Sequence, residues 1–289
     1  MLKRLLSAVA ALVVSAFVGQ AVASPPIWVI HEHGATIVLF GSIHALPPKL
    51  KWEPERLKRA IAGARDLWLE IPMDQASDLA AGQLAAERGL QPEGRVLSAS
   101  LSAEGRARLA RVAAASGEPL AGVERLRPWM AELVLSLATY KTEGVSAEEG
   151  VERQLLRGAP ASIQRQAFET PREQIDFLSS ASPADQIASL EETLGELDDG
   201  SASYNRLLKA WMAGDVGALR REALDPLIKT APGIYRTLVV DRNHRWVEAI
   251  EKRLKEPGEA VMVVGVGHLV GPDSVPALLR ARGFVVEGP

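Results

Sequence analysis

Short runs of Val, Ile and Leu lie near the two ends of the chain, and helical periodicity fills the region between them. The apolar runs occur at residues 27–30, 36–40, 66–71, 260–264 and 284–286. Between about residues 75 and 255, Ala and Leu recur every three or four positions, as in helices that bury one face. One β-like segment, residues 162–168, interrupts this region. The pattern predicts an α/β fold, in which a central β-sheet carries a large helical middle insertion.

The two ends of the chain share one order of features: a strand, a Gly-x-x-His sequence, a helix and a second strand. Near the start the sequence holds Gly41 and His44, and near the end it holds Gly265 and His268. Glycine lets the backbone turn sharply or approach a ligand closely. Because ligands collect beyond the carboxyl ends of strands in open α/β sheets, the two similar halves predict that both histidines face one cleft.

The N-terminus has the features of a secretory signal peptide over residues 1–23. Two basic residues precede an apolar run at residues 5–18, and small residues at 21–23 supply a cleavage pattern. The run is shorter than the roughly 20 residues that span a bilayer. Cleavage would leave residues 24–289 as a single domain without a membrane span. We therefore expect an exported protein, either periplasmic or secreted.

Composition narrows the chemistry that the chain can perform. The 289 residues include five histidines and no cysteine, and the formal net charge is −3. Without cysteine there is no disulfide, no thiolate zinc site and no thiol nucleophile. The mildly acidic balance lacks the basic patch of a nucleic-acid-binding protein. Any metal site must therefore use histidines and carboxylates.

Carboxylates follow two of the predicted strands. Glu70 lies at the end of the run at 66–71, where a carboxylate beside histidines could be a metal ligand or a general base with a raised pKa. A solvated strand end is the alternative. Glu169 follows the segment at 162–168 in the same way, although Thr170 beside it also resembles the start of a helix.

A third group of candidates opens the helix before the last predicted strand–helix unit. Arg242 could donate two hydrogen bonds to a carboxylate or an oxyanion. The alternative is an exposed helix start with Asp241 as its N-cap. His31 and His33 lie two residues apart at a predicted hairpin turn and are weaker candidates for metal binding.

These residues resemble the TraB/GumN/Tiki family. The main matches are the Gly-x-x-His segments at residues 39–47 and 264–271. Supporting matches are Trp68-Leu69-Glu70, Arg127-Pro128-Trp129, Phe168-Glu169-Thr170 and Arg242-Asn243. The resemblance covers the whole chain after the signal peptide, in order. Ser42 stands where many relatives carry Thr, which keeps the hydroxyl group.

The resemblance implies a fold related to the erythromycin esterase and ChaN-like superfamily. Tiki members are membrane-tethered, divalent-metal-dependent proteases. By motif, His44 and His268 would be metal ligands and Glu70 a ligand or base. Arg242 would stabilise developing charge. The supporting positions would be Gly41, Gly265, Glu169 and Asn243.

We therefore expect an exported, divalent-metal-dependent hydrolase, with a peptidase as the first choice and a peptide or small extracellular molecule as substrate. A site of two histidines and one or two glutamates suits Mn²⁺ or Co²⁺ at least as well as Zn²⁺. Two alternatives stay open. One is a protein that binds or sequesters a peptide or small ligand without cleaving it, and the other is a metal carrier. Likeness of fold alone does not choose among them.

Overall fold

Six strands form one mixed sheet in a computed structural model, which describes residues 24–289. The strands are β1 (Ile27–Glu32), β2 (Ala35–Ser42), β3 (Asp66–Leu69), β4 (Gln164–Ala167), β5 (Gly258–Gly265) and β6 (Val286–Glu287). They lie in the order β4-β3-β5-β2-β1-β6. The first four in that order are parallel, whereas β1 is antiparallel to β2 and β6 to β1. The carboxyl ends of β4, β3, β5 and β2 therefore meet at one edge of the sheet.

Helices cover the sheet and make up most of the middle of the chain. They are α1 (Glu55–Gly63), α2 (Gln75–Arg88), α3 (Ala103–Ser116), α4 (Leu120–Val123), α5 (Pro128–Thr142), α6 (Val151–Gly158), α7 (Pro171–Ser180), α8 (Pro183–Asp198), α9 (Ala202–Ala213), α10 (Val216–Ala223), α11 (Asp225–Thr230), α12 (Pro232–Tyr235), α13 (Asp241–Arg253) and α14 (Val275–Ala281). A π-helix, Arg236–Val240, joins α12 to α13. Short 3₁₀ helices occupy Leu97–Ser100, Ala147–Glu149 and Val266–His268.

The α/β class and the helical middle are confirmed, and the segment at 162–168 forms β4. The second strands of the two predicted halves, β3 and β6, lie in different places in the sheet, however. In the first half, β3 lies parallel to β5 inside the sheet, whereas β6 pairs antiparallel with β1 at the far edge. The predicted signal peptide lies outside the described residues. Among residues 24–289, none of the helices is long and apolar enough to cross a membrane.

Strand β5 lies at the centre of the parallel part of the sheet, and its residues 260–265 are all buried. This explains why the run is continuously apolar, since helices cover both faces of a parallel sheet.

Next to β5, strand β2 ends against the turn that follows β5. A Cβ atom on Gly41 would lie 2.8 Å from Cγ2 of Val266, so this close approach requires glycine. The Trp211 indole of α9 donates to the Gly41 carbonyl over 2.7 Å. The end of β2 is therefore fixed from two sides.

A buried ion pair joins the end of α13 to the start of β3. Arg253 donates from Nη2 to Oδ1 of Asp66 over 2.8 Å and from Nε to Oδ2 over 2.9 Å. Only 4% of the Arg253 side chain and 5% of the Asp66 side chain are exposed. Trp68 also donates to this carboxylate. The pair therefore sets the position of α13, the helix whose other end enters the candidate site.

We predict that Arg253→Ala lowers the free energy of unfolding by about 3–5 kcal/mol, because it leaves a buried carboxylate unpaired. The control is Arg282→Ala, which breaks a partly exposed pair with Glu251. That change should cost less than about 1 kcal/mol. Denaturant unfolding of both variants measures the difference. Equal losses would contradict the importance of the Asp66 pair.

Candidate functional site

Polar groups follow each of the four parallel strands at the edge where their carboxyl ends meet. His44 follows β2, Glu70 follows β3, and Glu169 follows β4. His268 ends the 3₁₀ turn that follows β5. Arg242, in the first turn of α13, contacts three of these four side chains. The structure thus brings together residues that are up to 224 positions apart, from His44 to His268.

All five N–H groups of the Arg242 guanidinium are bound within the protein. Nε donates to Glu169 over 2.9 Å, and Nη2 donates to Glu70 over 2.7 Å and to Glu169 over 2.9 Å. Nη1 donates to Nε2 of His268 and to the carbonyl of Leu238, each over 3.2 Å. No N–H remains for a substrate oxyanion in this arrangement. Arg242 therefore binds carboxylates, one of its two predicted kinds of partner, and positions them, and its predicted role toward developing charge stays a prediction.

The local helix geometry and two aromatic rings hold Arg242 in place. The π-helix that precedes α13 supplies the Leu238 carbonyl, and π-turns of this kind occur often at functional sites. The guanidinium carbon lies 4.7 Å from the ring centre of Trp246 and 5.8 Å from that of Phe177. The Trp246 indole also donates to Glu169 over 2.9 Å. Arg242 is thus both buried and fixed, unlike the exposed helix start that was the alternative prediction.

Glu70 is a buried carboxylate that stays ionised. Its Oε1 accepts the backbone N–H of Gly265 over 2.6 Å, and its Oε2 accepts from Arg242. Burial alone would raise the pKa of Glu70, but the charge of Arg242 and the other nearby groups outweigh burial and hold the pKa well below its usual value. The raised pKa considered from the sequence is therefore wrong. Glu70 is suited to be a fixed negative charge or a ligand.

His268 is buried and neutral. Its Nδ1 lies 2.7 Å from Oδ1 of Asn243, which can only accept, and its Nε2 faces the Arg242 N–H. These two partners fix one tautomer. Burial, with the charge of Arg242 opposing a second cation, lowers the pKa of His268 to about 3. The ring also packs 4.3 Å from Trp246. Asn243, predicted only as a supporting residue, therefore orients His268.

His44 is the exposed histidine of the site, with 64% of its side chain accessible. Its Nδ1 lies 2.8 Å from Oε1 of Glu152, which also accepts from the Ser42 hydroxyl. The negative charge of Glu152 raises the pKa of His44 above its usual 6.5. The opposite nitrogen, Nε2, lies 3.9 Å from Oε1 of Glu70. His44 thus stands between a buried carboxylate that orients it and a second carboxylate beside its free nitrogen.

Glu152 is the site residue that the sequence analysis missed. It lies in α6, inside the long region where helical periodicity was the only signal. A signal was nevertheless present, because Glu152 shares the buried face of α6 with Val151 and Leu155. A carboxylate on an apolar stripe needs a partner. The backbone N–H of Val151 donates to the carbonyl of Ile43 over 3.2 Å, which brings the start of α6 against the His44 loop.

The family model for the TraB/PrgY/gumN family matches residues 26–288. The chain belongs to the TraB/PrgY/gumN family. A protein of Treponema pallidum (strain Nichols), described only as uncharacterized, is 21% identical over 266 residues. The alignment covers 88% of this chain and 80% of that protein. No solved structure matches. Membership of a family does not by itself define an activity, which depends on the residues of the site.

In this member of the TraB/PrgY/gumN family, Nε2 of His44 and Oε1 of Glu70 lie 3.9 Å apart, and these two donors could share a divalent cation. A Cβ atom on Gly265 would lie 3.1 Å and 3.2 Å from these atoms, so glycine keeps a small space beside them. Two of the buried carboxylates, Glu70 and Glu169, contact the Arg242 guanidinium, and the third, Glu152, contacts His44. The residues therefore fit a cation held by two side chains.

The third predicted ligand of this TraB/PrgY/gumN protein, His268, points its Nε2 at Arg242. Within residues 24–289, no three His, Asp or Glu side chains converge on one point where a metal ion could lie. The ligand role of His268 stays a prediction. His31 and His33 lie at the hairpin before β2, at the opposite end of that strand from the site, where they contact Thr36 and Glu32.

We predict that Glu152→Gln lowers the pKa of His44, because it removes the negative charge that favours the imidazolium. NMR titration of the histidine ring protons measures this change. In the unmodified protein His44 should titrate above pH 6.5, and in the variant it should titrate at a distinctly lower pH. Glu148→Gln, an exposed carboxylate just before α6, is the matched control. Identical His44 titrations in all three proteins would contradict the assigned pair.

Proposed function

We propose that this protein is an exported, divalent-metal-dependent hydrolase, and specifically a peptidase that acts on a peptide or small extracellular substrate. The observation that supports this most directly is the exposed Nε2 of His44 beside the ionised carboxylate of Glu70. A buried carboxylate, Glu152, orients the same histidine through its other ring nitrogen.

The proposal of export is based on the signal-peptide features of residues 1–23. N-terminal sequencing of protein from the periplasmic and secreted fractions tests it, with Ser24 expected first.

Nε2 of His44 and Oε1 of Glu70 would hold the metal ion. When bound, a divalent ion lowers the pKa of a bound water and polarises a substrate carbonyl. Metal ligands must be deprotonated. Glu70 already is, since its pKa is low, and His44, whose pKa Glu152 raises, would release its proton when the metal binds. A metal-bound histidine usually donates its other ring N–H to a carboxylate or a carbonyl, which orients the ring. The Glu152 carboxylate would do this for His44, because it binds Nδ1. One imidazole and one carboxylate favour Mn²⁺ or Co²⁺ at least as much as Zn²⁺.

The remaining residues hold these two donors in place. Arg242 binds Oε2 of Glu70, and the Gly265 N–H binds Oε1, so the carboxylate cannot rotate away from His44. Neutral His268 accepts from Arg242 without adding a second positive charge. The substrate meets His44 first, because it is the exposed member of this group.

A second candidate is a hydrolase that works without metal, in which His44 itself transfers protons while Glu152 orients it. This candidate is favoured by one observation. The Arg242 N–H groups already bind Oε2 of Glu70 and Nε2 of His268, two of the positions that a three-ligand metal site would use. The pKa of His44, raised by Glu152, would make its imidazolium a proton donor near neutral pH.

Metal content after loading with Mn²⁺ and desalting separates these candidates. The unmodified protein should retain near-stoichiometric metal, and His44→Ala and Glu70→Gln should lose it because each removes a donor. His268→Ala should retain most of it, since its Nε2 faces Arg242. The matched control is His244→Ala, an exposed histidine on α13. If the unmodified protein holds no more Mn²⁺ than His44→Ala, the metal-dependent proposal is wrong.

Hydrolysis of a library of short random peptides, followed by mass spectrometry, tests the activity itself. We expect cleavage with Mn²⁺, loss of cleavage after chelation, and a fall of roughly 100-fold or more in His44→Ala. Cleavage that survives chelation but not His44→Ala would favour the metal-free candidate. Metal or peptide binding without any cleavage would contradict hydrolysis and favour a carrier or a sequestering protein.

A further inference from the structure

Strand β4 is an edge of the sheet whose outer side is open. The N–H of Gln164 donates to Arg65 over 2.9 Å, and that of Phe168 donates to Leu69 over 3.0 Å, so these residues face β3. Alternate residues of a parallel strand face opposite ways, and Arg165 and Ala167 therefore direct their N–H and C=O groups outward. Within the described part of the chain, residues 24–289, no backbone group pairs with them. The edge can accept another strand.

Two cavities flank this edge, one on each face of the sheet. Leu67 and Leu69 of β3 line the first, of about 420 Å³, together with Met73 and Leu156. Trp68 lines the second, of about 330 Å³. Successive residues of a strand point to opposite faces, so the cavities lie on the two sides of β3 and β4. A strand added to β4 would direct its own alternate side chains toward one cavity and then the other.

The two cavities carry opposite charge. At the first, Asp74 and Glu173 contact neutral partners at helix starts and outnumber Arg165, the one basic residue that lines this cavity within residues 24–289. At the second, Arg253 and Arg65 are each paired with a carboxylate. No ion pair involves Lys252 of the same cavity among residues 24–289. The first cavity therefore suits apolar or basic side chains, and the second suits acidic ones.

The open edge leads directly into the candidate site. Strand β4 continues through Phe168 to Glu169, which binds Arg242, and the Glu169 N–H donates to the Glu70 carbonyl over 2.9 Å. A strand added outside β4 would lie four strand spacings, about 19 Å, from β2 and hence from His44. About six extended residues span that distance. A peptide paired along β4 can therefore reach His44 across the strand ends.

We propose that β4 is the docking edge for an extended peptide substrate, which pairs with Arg165 and Ala167 as an additional strand. Its side chains would alternate between apolar or basic groups in the first cavity and acidic groups facing Lys252 in the second. The edge is short and polar, features that limit indiscriminate pairing, so the two cavities supply the selectivity. This inference names the substrate of the proposed hydrolase and rests on that proposal.

Hydrogen–deuterium exchange at residues 164–168 tests the docking without any need for cleavage. The probe is a short peptide of alternating Leu and Glu, and the control peptide has the same composition in non-alternating order. The alternating peptide should slow exchange of the Arg165 and Ala167 amides, and the control peptide should not. Lys252→Glu should weaken binding roughly tenfold, since it replaces an attraction by a repulsion.

Arg165→Pro provides the sharpest variant. Proline removes an N–H that points away from β3, so the fold should persist, and the affinity for the alternating peptide should fall roughly tenfold. Arg165→Ala loses the same side chain but keeps the N–H, so it should bind the alternating peptide roughly tenfold more tightly than Arg165→Pro does. Equal binding by both variants would overturn the proposal.

The outcomes distinguish docking from catalysis. Protection at β4 without peptide cleavage would uphold the docking edge and contradict the hydrolase proposal. Cleavage with no protection at β4, even at millimolar peptide, would overturn the docking edge and leave the hydrolase proposal standing. Protection that grows with protein concentration in the absence of peptide, with dimers in sedimentation, would show that a second copy covers the edge and would overturn the proposal.

Discussion

The buried guanidinium of Arg242 binds two buried glutamates and a neutral histidine, and the candidate site depends on this arrangement. Its partners Glu70, Glu169 and His268 follow three different strands, so one cation fixes three strand ends against α13. An unpaired buried charge is strongly unfavourable, which makes each member depend on the others. Because every N–H of Arg242 is bound, the group is rigid. Its charge keeps Glu70 ionised, while burial is the main cause of the neutral state of His268.

The buried cluster around Arg242 leaves one side chain of the site, His44, accessible to solvent. His44 lies outside the buried cluster, with Glu152 behind its Nδ1 and Glu70 beside its Nε2. A fixed carboxylate and an oriented, exposed imidazole are a suitable pair for holding a cation or for moving a proton. The division between a buried frame and an accessible histidine agrees with the known requirement that reacting groups be held by locked neighbours.

Patterns within single segments could be predicted from the sequence, and contacts between segments could not. The continuous apolar run of β5 and the two Gly-x-x-His sequences placed His44 and His268 at one edge correctly. The partners of Arg242 come from segments far apart in the chain, and no periodicity encodes which N–H meets which oxygen. The same limit hid Glu152, since the helical signal of α6 gives no indication of a contact with His44. The hydrophobic pattern of the last strand does not indicate whether it pairs parallel or antiparallel. The antiparallel pairing of β6 with β1 could therefore not be predicted.

The most direct test of this account is the free energy of unfolding of Arg242→Met, compared with the triple variant Arg242→Met, Glu70→Gln, Glu169→Gln. Denaturant unfolding should show a loss of about 3–5 kcal/mol in the single variant, because two buried carboxylates lose their cation. The triple variant, with no buried charge left at these positions, should recover most of that loss. A single variant as stable as the unmodified protein would contradict the claim that Arg242 holds the site together.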